Sequence, residues 1–407
     1  MFRFGITSTG LIRFLSGAGT IERRQLIGAN ALIGAVATLI LVTLLFAIRM
    51  IFDRAVSGSA LALFFTWYPL LAILNLPWNN ALVLLQADRS YGKILLLKLI
   101  NSGGFFLIVL SSHLYFHFNL RSLTIALLLV NGITSLITIL RGWDGWSDVG
   151  SATRRHVNDL FHFGKYTMFT LIGTNLLRSA DTFILGISPL GNAAVALYAI
   201  PLKLTELQQI PLRSFAATAF PKMSKASLEG RHEQVRDLFY TYTGALTILF
   251  AAISLVTFCC AEYLVLILAG RSYIDIDPTT GFDAVSIMRI FSIYGLLLPL
   301  DRMTGVVLDS INRPRQNAVK VFFMVATNLM GNLIAVFHFQ SLICMAIGSV
   351  LFTIIGIVLG MYFLNREMPI EYGRLWSEAI RFYEKLFRQF IRERRPGTAT
   401  AVQPLCR

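Results

Sequence analysis

The sequence predicts an all-α polytopic membrane protein with about eleven spans, and three observations support this. Of 407 residues, 55% are hydrophobic and 14% are charged, whereas soluble domains contain roughly 25% charged residues. Apolar runs reach the length of a membrane span, and residues 31–48 contain no charge at all. Finally, basic residues collect in alternate loops, as they do on the cytoplasmic side of membrane proteins.

The composition also excludes several classes of protein. The formal charge of +14 fits Lys- and Arg-rich cytoplasmic loops, so we expect no nucleic acid as a partner. The four cysteines lack metal-binding spacing, and we find neither a phosphate-binding loop nor a cleavable signal peptide. We therefore expect neither a metal site nor a cofactor.

The apolar runs place the spans. Ten long spans are predicted over residues 25–50, 58–83, 93–115, 121–141, 164–187, 192–214, 238–258, 284–306, 317–338 and 341–364. A shorter span is predicted over residues 2–19. The basic loops place the C-terminus in the cytoplasm, and eleven spans then place the N-terminus outside. This arrangement leads us to expect a missing first span or a start assigned too late.

A polar segment divides the chain. Residues 142–163 form the longest polar interruption before the tail, with five predicted spans before it and six after it. We therefore predict an N-terminal helical lobe over 1–141, a cytoplasmic linker over 142–163, a C-terminal lobe over 164–364 and a cytoplasmic tail over 365–407.

The tail contains a basic amphipathic helix, predicted over residues 372–395. Its apolar stripe consists of Leu375, Ile380, Tyr383, Leu386, Phe387, Phe390 and Ile391. Its basic side consists of Arg374, Arg381, Lys385, Arg388 and Arg392. Such a helix lies on a leaflet rich in anionic lipids. The alternative is that it docks a partner protein.

Two predicted spans carry charges near the middle of the membrane. Arg178 lies about 20 Å along the helix from Lys165, and Asp181 shares its face at a spacing of three residues. In the next span, Lys203 and Glu206 have the same spacing, at a depth of about 16 Å. One charged residue at the bilayer centre costs roughly 2.5–3.5 kcal/mol. These four should therefore face the protein interior or a wet cavity.

Two interpretations of these charges stay open. They form intrahelical ion pairs that neutralise each other, or they line a translocation cavity, which is the usual role of ionisable residues inside a membrane. Other spans contribute Lys98, about one turn inside its span, and the neighbours Asp301 and Arg302, which do not share a helix face.

Three segments resemble a known family. They are RSADTFILGISPLGNAAVALYAIPLKLTELQQIPLRSFAATAFPKMSK (178–225), SINRPRQNAVKV (310–321) and FGITSTGLIRFLS (4–16). They look like the start of the second lobe, the late basic loop and the second span of bacterial polysaccharide-biosynthesis flippases. These O-antigen and exopolysaccharide flippases belong to the multidrug/oligosaccharidyl-lipid/polysaccharide exporter superfamily.

The resemblance implies two helical bundles around a central cavity, with the first family span missing from this chain. It also implies transport of undecaprenyl-pyrophosphate-linked oligosaccharide across the cytoplasmic (inner) membrane, for lipopolysaccharide or exopolysaccharide biosynthesis. The implied partners are the lipid-linked oligosaccharide and the polysaccharide polymerase machinery. Transport needs no covalent chemistry, so we expect a transporter and not an enzyme.

The family resemblance also implies roles for the charged residues inside the predicted spans. The candidates for binding the anionic pyrophosphate are Arg178, Lys203, Lys98 and Arg302. Their charge partners, or the carriers of a coupling proton or sodium ion, are Asp181, Glu206 and Asp301. Tyr198 is an aromatic candidate for contacting sugars.

Three other functions compete. A multidrug exporter of the same superfamily would bind cations in an acidic cavity, and a lipid II flippase would carry another pyrophosphate lipid. A membrane-embedded polymerase would need catalytic residues in an outer loop. There Asp275, Asp277 and Asp283 are acidic, although loop acids are more often solvated surface.

Overall fold

The computed structural model describes residues 2–52, 62–116, 118–270 and 283–393. Within these ranges all regular structure is helical and no strand occurs, which confirms the predicted all-α class. The α-helices are α1 Phe2–Leu15, α2 Thr20–Ile51, α3 Ala62–Ala87, α4 Tyr91–Lys98, α5 Gly104–Ser111, α6 Leu120–Leu140, α7 Arg154–Gly186, α8 Gly191–Leu228, α9 His232–Cys259, α10 Ala261–Ala269, α11 Ala284–Ser310, α12 Pro314–Phe337, α13 Leu342–Glu367 and α14 Tyr372–Glu393. π-helical turns follow α4 and α5, and a 3₁₀ turn, Trp146–Ser151, follows α6.

Eight helical segments in the described part of the chain are long and apolar enough to cross a membrane, so the protein is a multi-pass membrane protein. They are α2, α3, the run Tyr91–Tyr115, α6, α9, α11, α12 and α13. The other three predicted spans, over 2–19, 164–187 and 192–214, correspond to α1, α7 and α8. That these three also cross the membrane stays a prediction.

The helices group into two compact units, each assembled from separate parts of the chain. The first unit contains Met1–Phe183, Ala216–His232 and Gly305–Met330, and the second contains Ile184–Phe215, Glu233–Thr304 and Gly331–Arg407. Four long helices, α7, α8, α11 and α12, therefore contribute residues to both units. The lobe boundaries drawn from the sequence at residues 141 and 164 differ from this grouping and stay a prediction.

The predicted linker, residues 142–163, is an ordered part of the first unit. Its 3₁₀ turn packs against α2 so closely that a Cβ on Gly28 would overlap the carbonyl oxygen of Asp148. Gly145 adopts a φ of +73°, which favours glycine. Burial raises the pKa of the adjacent Asp144 carboxyl, although backbone N–H groups oppose the shift. The segment is therefore packed and not a flexible tether.

Small residues also allow α1 and α7 to meet backbone to backbone in the first unit. A Cβ on Gly164 would overlap the carbonyl oxygen of Ile6. Beside this contact, the Thr167 hydroxyl donates to the carbonyl oxygens of Gly5 at 3.0 Å and Gly164 at 3.1 Å. Close approach through small residues and hydroxyl hydrogen bonds is typical of helix packing in membranes.

Aromatic rings and one glycine contact hold the second unit together. Tyr198 packs edge-to-face on Phe291 at 5.5 Å, and Tyr294 meets Phe352 at 6.1 Å. Tyr198, which we expected to contact sugars, is 0% exposed and belongs to this core. Gly360 is the second glycine of a GxxxG sequence in α13, and its lack of a side chain leaves room for Thr304. A Cβ at position 360 would lie only 2.5 Å from the Thr304 hydroxyl oxygen.

The close contact at Gly164 predicts a large effect of one methyl group. Gly164→Ala should lower the free energy of unfolding by about 1–3 kcal/mol, because the backbone of α1 must move away. Thermal unfolding in detergent would measure the loss. The matched variant Gly104→Ala, whose Cβ finds its nearest neighbour at 3.8 Å, should unfold no earlier than the parent. Equal stability of both variants would contradict the contact.

Candidate substrate and coupling site

The residues predicted for substrate binding and coupling are divided between the two units. The first unit contains Lys98, Arg178 and Asp181, and the second contains Lys203, Glu206, Asp301 and Arg302. All seven lie in helices. Each unit therefore carries both basic and acidic candidates.

In the second unit, Lys203 and Glu206 form the ion pair that their spacing predicts. The Lys203 Nζ lies 3.0 Å from the Glu206 Oε2, and the side chains are 75% and 51% exposed. The rest of the chain thus leaves both groups uncovered in the middle of α8. If α8 crosses the membrane as predicted, lipid would penalise this charge pair strongly, and this side of α8 would require water or a polar ligand.

In the first unit, Asp181 has a different environment. It is 3% exposed, and its Oδ1 accepts a hydrogen bond from the Asn328 Nδ2 on α12 at 3.2 Å. Asn328 is itself 1% exposed, and its Oδ1 has no hydrogen-bond partner among the described residues. A buried carboxylate therefore lies beside a buried carbonyl oxygen that is available to a donor or a cation.

Arg178 lies one turn before Asp181 on α7. Its side chain is exposed, whereas the Asp181 side chain is buried. The two charges that the sequence placed together thus differ in burial within the same helix. A guanidinium offers five donors in a planar fork, a geometry that suits an anion.

Lys98 ends α4 at a π-helical turn, Leu99–Gly103. Its side chain is exposed. Within the turn, the Asn101 Nδ2 donates to the Asn131 Oδ1 at 3.0 Å and to the Thr134 Oγ1 at 3.3 Å. Single π-helical turns occur frequently at functional sites. Lys98 therefore stands next to a polar contact between α6 and the π-helical turn.

Asp301 and Arg302 point in different directions from α11, as expected for adjacent helical residues. Asp301 is half-buried in the second unit and Arg302 is exposed. Both take part in polar contacts. Arg302 is thus the more accessible of the two to an anion.

The acidic outer segment gives little support to a polymerase. Asp275 and Asp277 lie outside the described residues. Asp283 precedes α11, where its Oδ1 accepts from the Val285 backbone N–H at 2.9 Å and its Oδ2 accepts from the Ser286 hydroxyl. This is the geometry of a helix N-cap, which accounts for the residue structurally.

Several buried polar residues were missed at the sequence level. Asn328, which lies in an apolar span, was not singled out from the sequence. Lys320 belongs by sequence to a basic loop predicted to be cytoplasmic, yet it is only 2% exposed. Arg13 is 5% exposed, and its Nε donates to the carbonyl oxygen of Ser310 at 3.1 Å, at the end of α11. An amide or a basic side chain within an apolar span was the sequence signal that could have revealed Asn328 and Arg13.

A second buried polar cluster lies within the second unit. Gln208 is 6% exposed and Ser254 is 7% exposed. In the part of the chain that is described, neither the Gln208 Oε1 nor the Ser254 Oγ has a hydrogen-bond partner. Gly295 makes this arrangement possible, because a Cβ there would lie 2.5 Å from the Gln208 Oε1. Polar character therefore extends from the exposed side of α8 into the unit.

Comparison with known proteins identifies the family. A family model described as polysaccharide biosynthesis protein matches residues 24–278, which is more than half of the chain. This match confirms the family resemblance drawn from the sequence. A comparison with curated proteins gives no significant match.

Solved structures show the same fold. A MOP superfamily transporter from Pyrococcus furiosus, described as having a binding pocket of reverse polarity, is 15% identical, with a TM-score of 0.72 over 89% of this chain and 84% of its own. An outward-facing multidrug resistance MATE family transporter is 17% identical, with a TM-score of 0.70 over 90% and 84%. A Vibrio cholerae MATE transporter is 16% identical, with a TM-score of 0.69 over 95% and 84%. The chain thus has the polytopic helical fold of MOP superfamily transporters.

The contact between Asp181 and Asn328 predicts energetic coupling. In a double-mutant cycle, Asp181→Ala and Asn328→Ala should be non-additive by about 0.6–1.7 kcal/mol, the range measured for hydrogen bonds between membrane helices. Reversible unfolding in bicelles would provide the free energies. Pairing Asp181→Ala with Thr170→Ala, which removes only a bond to the Tyr166 carbonyl of its own helix, should give additive effects. Additivity in both cycles would show that the amide and carboxylate do not interact.

Proposed function

We infer the function from family membership, since the chain belongs to the polysaccharide biosynthesis protein family. We propose that it is a transporter that flips undecaprenyl-pyrophosphate-linked oligosaccharide across the cytoplasmic membrane by alternating access. The product would supply lipopolysaccharide or exopolysaccharide biosynthesis. The C-terminus would lie in the cytoplasm, and no covalent step is required.

The exposed ion pair on α8 is the observation that carries this proposal. Lys203 and Glu206 form an ion pair at 3.0 Å, and both side chains are largely exposed. A pyrophosphate would offer Lys203 a more highly charged partner than one carboxylate. Arg178, also exposed, is a separate candidate in the first unit, where it would offer a bidentate contact. Lys98 and Arg302 are further candidates along the path of the headgroup.

The oligosaccharide and the lipid tail would follow different routes. The sugars are polar and require the wet side of the helices, whereas the polyisoprenoid chain can remain in the bilayer. Repeat units delivered to the outer leaflet would pass to the polysaccharide polymerase machinery, which we propose as a functional partner. The cationic residues therefore need to hold only the pyrophosphate in transit.

Asp181 and Asn328 support a proposal for coupling to an ion gradient. A proton on the Asp181 carboxyl can be donated to the Asn328 Oδ1, and a sodium ion can be ligated by both oxygen atoms. Either event would neutralise a carboxylate that is 3% exposed. Burial penalises the charged form of the Asp181 carboxylate. Binding of a proton or a sodium ion would therefore change the stability of this part of the first unit. Glu206 and Asp301 would then act as charge partners of the basic residues.

Multidrug export is the second candidate function. It is favoured by the structural likeness to a multidrug resistance transporter at a TM-score of 0.70. A drug exporter would bind organic cations, and the exposed Lys203 and Arg178 oppose such binding. Drug resistance conferred on a sensitive host, without any effect on surface polymer, would favour this candidate.

The proposed headgroup site can be tested by complementation of surface polymer in a host that lacks its own flippase for the same sugar. Arg178→Ala and Lys203→Ala should each reduce export about 10- to 100-fold, the loss expected for one hydrogen bond to a charged group. Lipid-linked repeat units should accumulate inside. Arg178→Lys and Lys203→Arg should retain most of the export.

The control variant is Arg141→Ala, an exposed basic residue at the end of α6. Its export should equal that of the parent at equal expression. Full export by both Arg178→Ala and Lys203→Ala would reduce these residues to structural ion pairs. Because flippases discriminate among sugars, the repeat unit of the host must match one that the parent chain exports.

The coupling proposal predicts a separate phenotype. Asp181→Asn keeps the size of the side chain and an acceptor for Asn328, but it removes the titrating and cation-binding carboxylate. Reconstituted protein with this change should flip the pyrophosphate lipid at a rate that no longer responds to an imposed proton or sodium gradient. A gradient response equal to that of the parent would exclude Asp181 as the coupling residue.

A further inference from the structure

The helix after the last span, α14, has two distinct apolar faces. One face contains Leu375, Ala379 and Tyr383, and the other contains Trp376 and Ile380. Within each face the residues recur every four positions, and the two faces adjoin, since Trp376 follows Leu375 by one residue, about 100°, and Tyr383 follows Ile380 by three. In the structure one of these faces is covered by protein and the other is exposed.

The first face packs on α9 within the second unit. A Cβ on Gly244 would lie 2.5 Å from the Leu375 carbonyl oxygen and 2.8 Å from the Ala379 Cβ. Ala379 is 0% exposed, and the Tyr383 hydroxyl donates to the Ala245 carbonyl oxygen at 2.9 Å. Burial raises the pKa of this Tyr383 hydroxyl.

The beginning of α14 is fixed to the same helix. The Glu371 backbone N–H donates to the Tyr240 hydroxyl at 2.7 Å. The Arg374 guanidinium lies 3.4 Å from the Asp237 carboxylate and 5.4 Å from the centre of the Tyr240 ring. These contacts with α9 thus set the orientation of α14 independently of lipid.

The second face is left uncovered by the chain. Trp376 is 60% exposed and Ile380 is 54% exposed. Trp376 was not part of the stripe predicted from the sequence, which merged the two faces. Tryptophan is enriched at membrane interfaces, where its ring contacts acyl chains and its N–H reaches polar groups.

The exposed arginines beside this face are complementary in charge to an anionic surface. Arg381, 65% exposed, and Arg388, also exposed, lie on the solvent side of α14. The connection from the last span is short, since α13 ends at Glu367 and α14 begins at Tyr372. The helix therefore starts at the membrane surface, where headgroups are within reach of both arginines.

We propose that the face formed by Trp376 and Ile380 inserts into the headgroup region of an anionic leaflet, with Arg381 and Arg388 binding lipid phosphates. The adjoining face, with Leu375, Ala379 and Tyr383, stays docked on α9. The occupant of the exposed face is thus a lipid surface and not a partner protein. This inference is independent of the cargo and holds for any transported substrate.

Hydrogen exchange on the full-length protein in nanodiscs tests the proposal. Amides of residues 376–388 should exchange about tenfold more slowly in discs containing phosphatidylglycerol than in discs of phosphatidylcholine alone. Trp376→Ser/Ile380→Ser should abolish most of this protection, and Arg381→Gln/Arg388→Gln should abolish its dependence on lipid charge. Tyr383→Phe, which alters only the docked face, should keep that dependence.

Fluorescence provides a second measurement that does not rely on helix stability. Brominated lipids should quench the parent protein more than Trp376→Phe, because only the parent places this ring among acyl chains. Equal exchange in the two lipids, together with equal quenching of parent and Trp376→Phe, would overturn the proposal and favour a protein partner for this face.

Discussion

The bilayer core offers no hydrogen-bond partner to a polar group, and this constraint shapes both units. A buried polar side chain therefore gains from a partner within the protein. Asp181 accepts from Asn328, Asn101 donates to Asn131, and Arg13 donates to the end of α11. Such contacts join helices that are distant in sequence. They therefore fix which helices pack together, a choice that apolar side chains leave open because lipid is equally apolar.

Close backbone approach is the second consequence of the same environment. Without a hydrophobic driving force between helices, dispersion contacts gain from the smallest possible separation. Glycines at positions 28 and 164 bring backbones into direct contact in the first unit, and Gly360 brings the backbone of α13 against the Thr304 side chain in the second. The linker that follows α6 is held by one of these contacts. In the proposed alternating access, such contacts would preserve the packing within each unit.

The exposed charges that we propose for transport lie on α7 and α8. Lys203 and Glu206 are exposed on a helix that is too polar to count among the eight apolar segments. Arg178 belongs to another such helix, α7. Helices α7 and α8 thus combine low apolarity with exposed charge, while buried positions on them carry Asp181 and Gln208. In the proposed transport, the exposed basic residues would bind a pyrophosphate and the buried oxygen atoms would bind a coupling ion.

The sequence by itself determined the helical class, eight apolar spans, the helix at 372–393, the family and the ion pair between Lys203 and Glu206. These follow from composition, periodicity and local spacing, which act within one helix. Only the tertiary structure decided that Asp181 bonds to Asn328, that Tyr198 is core, that Lys320 is buried and that α14 divides its apolar side between α9 and an open face. Each of these depends on a contact between residues far apart in the chain. The helical period specifies a face of a helix, but it does not specify what covers that face.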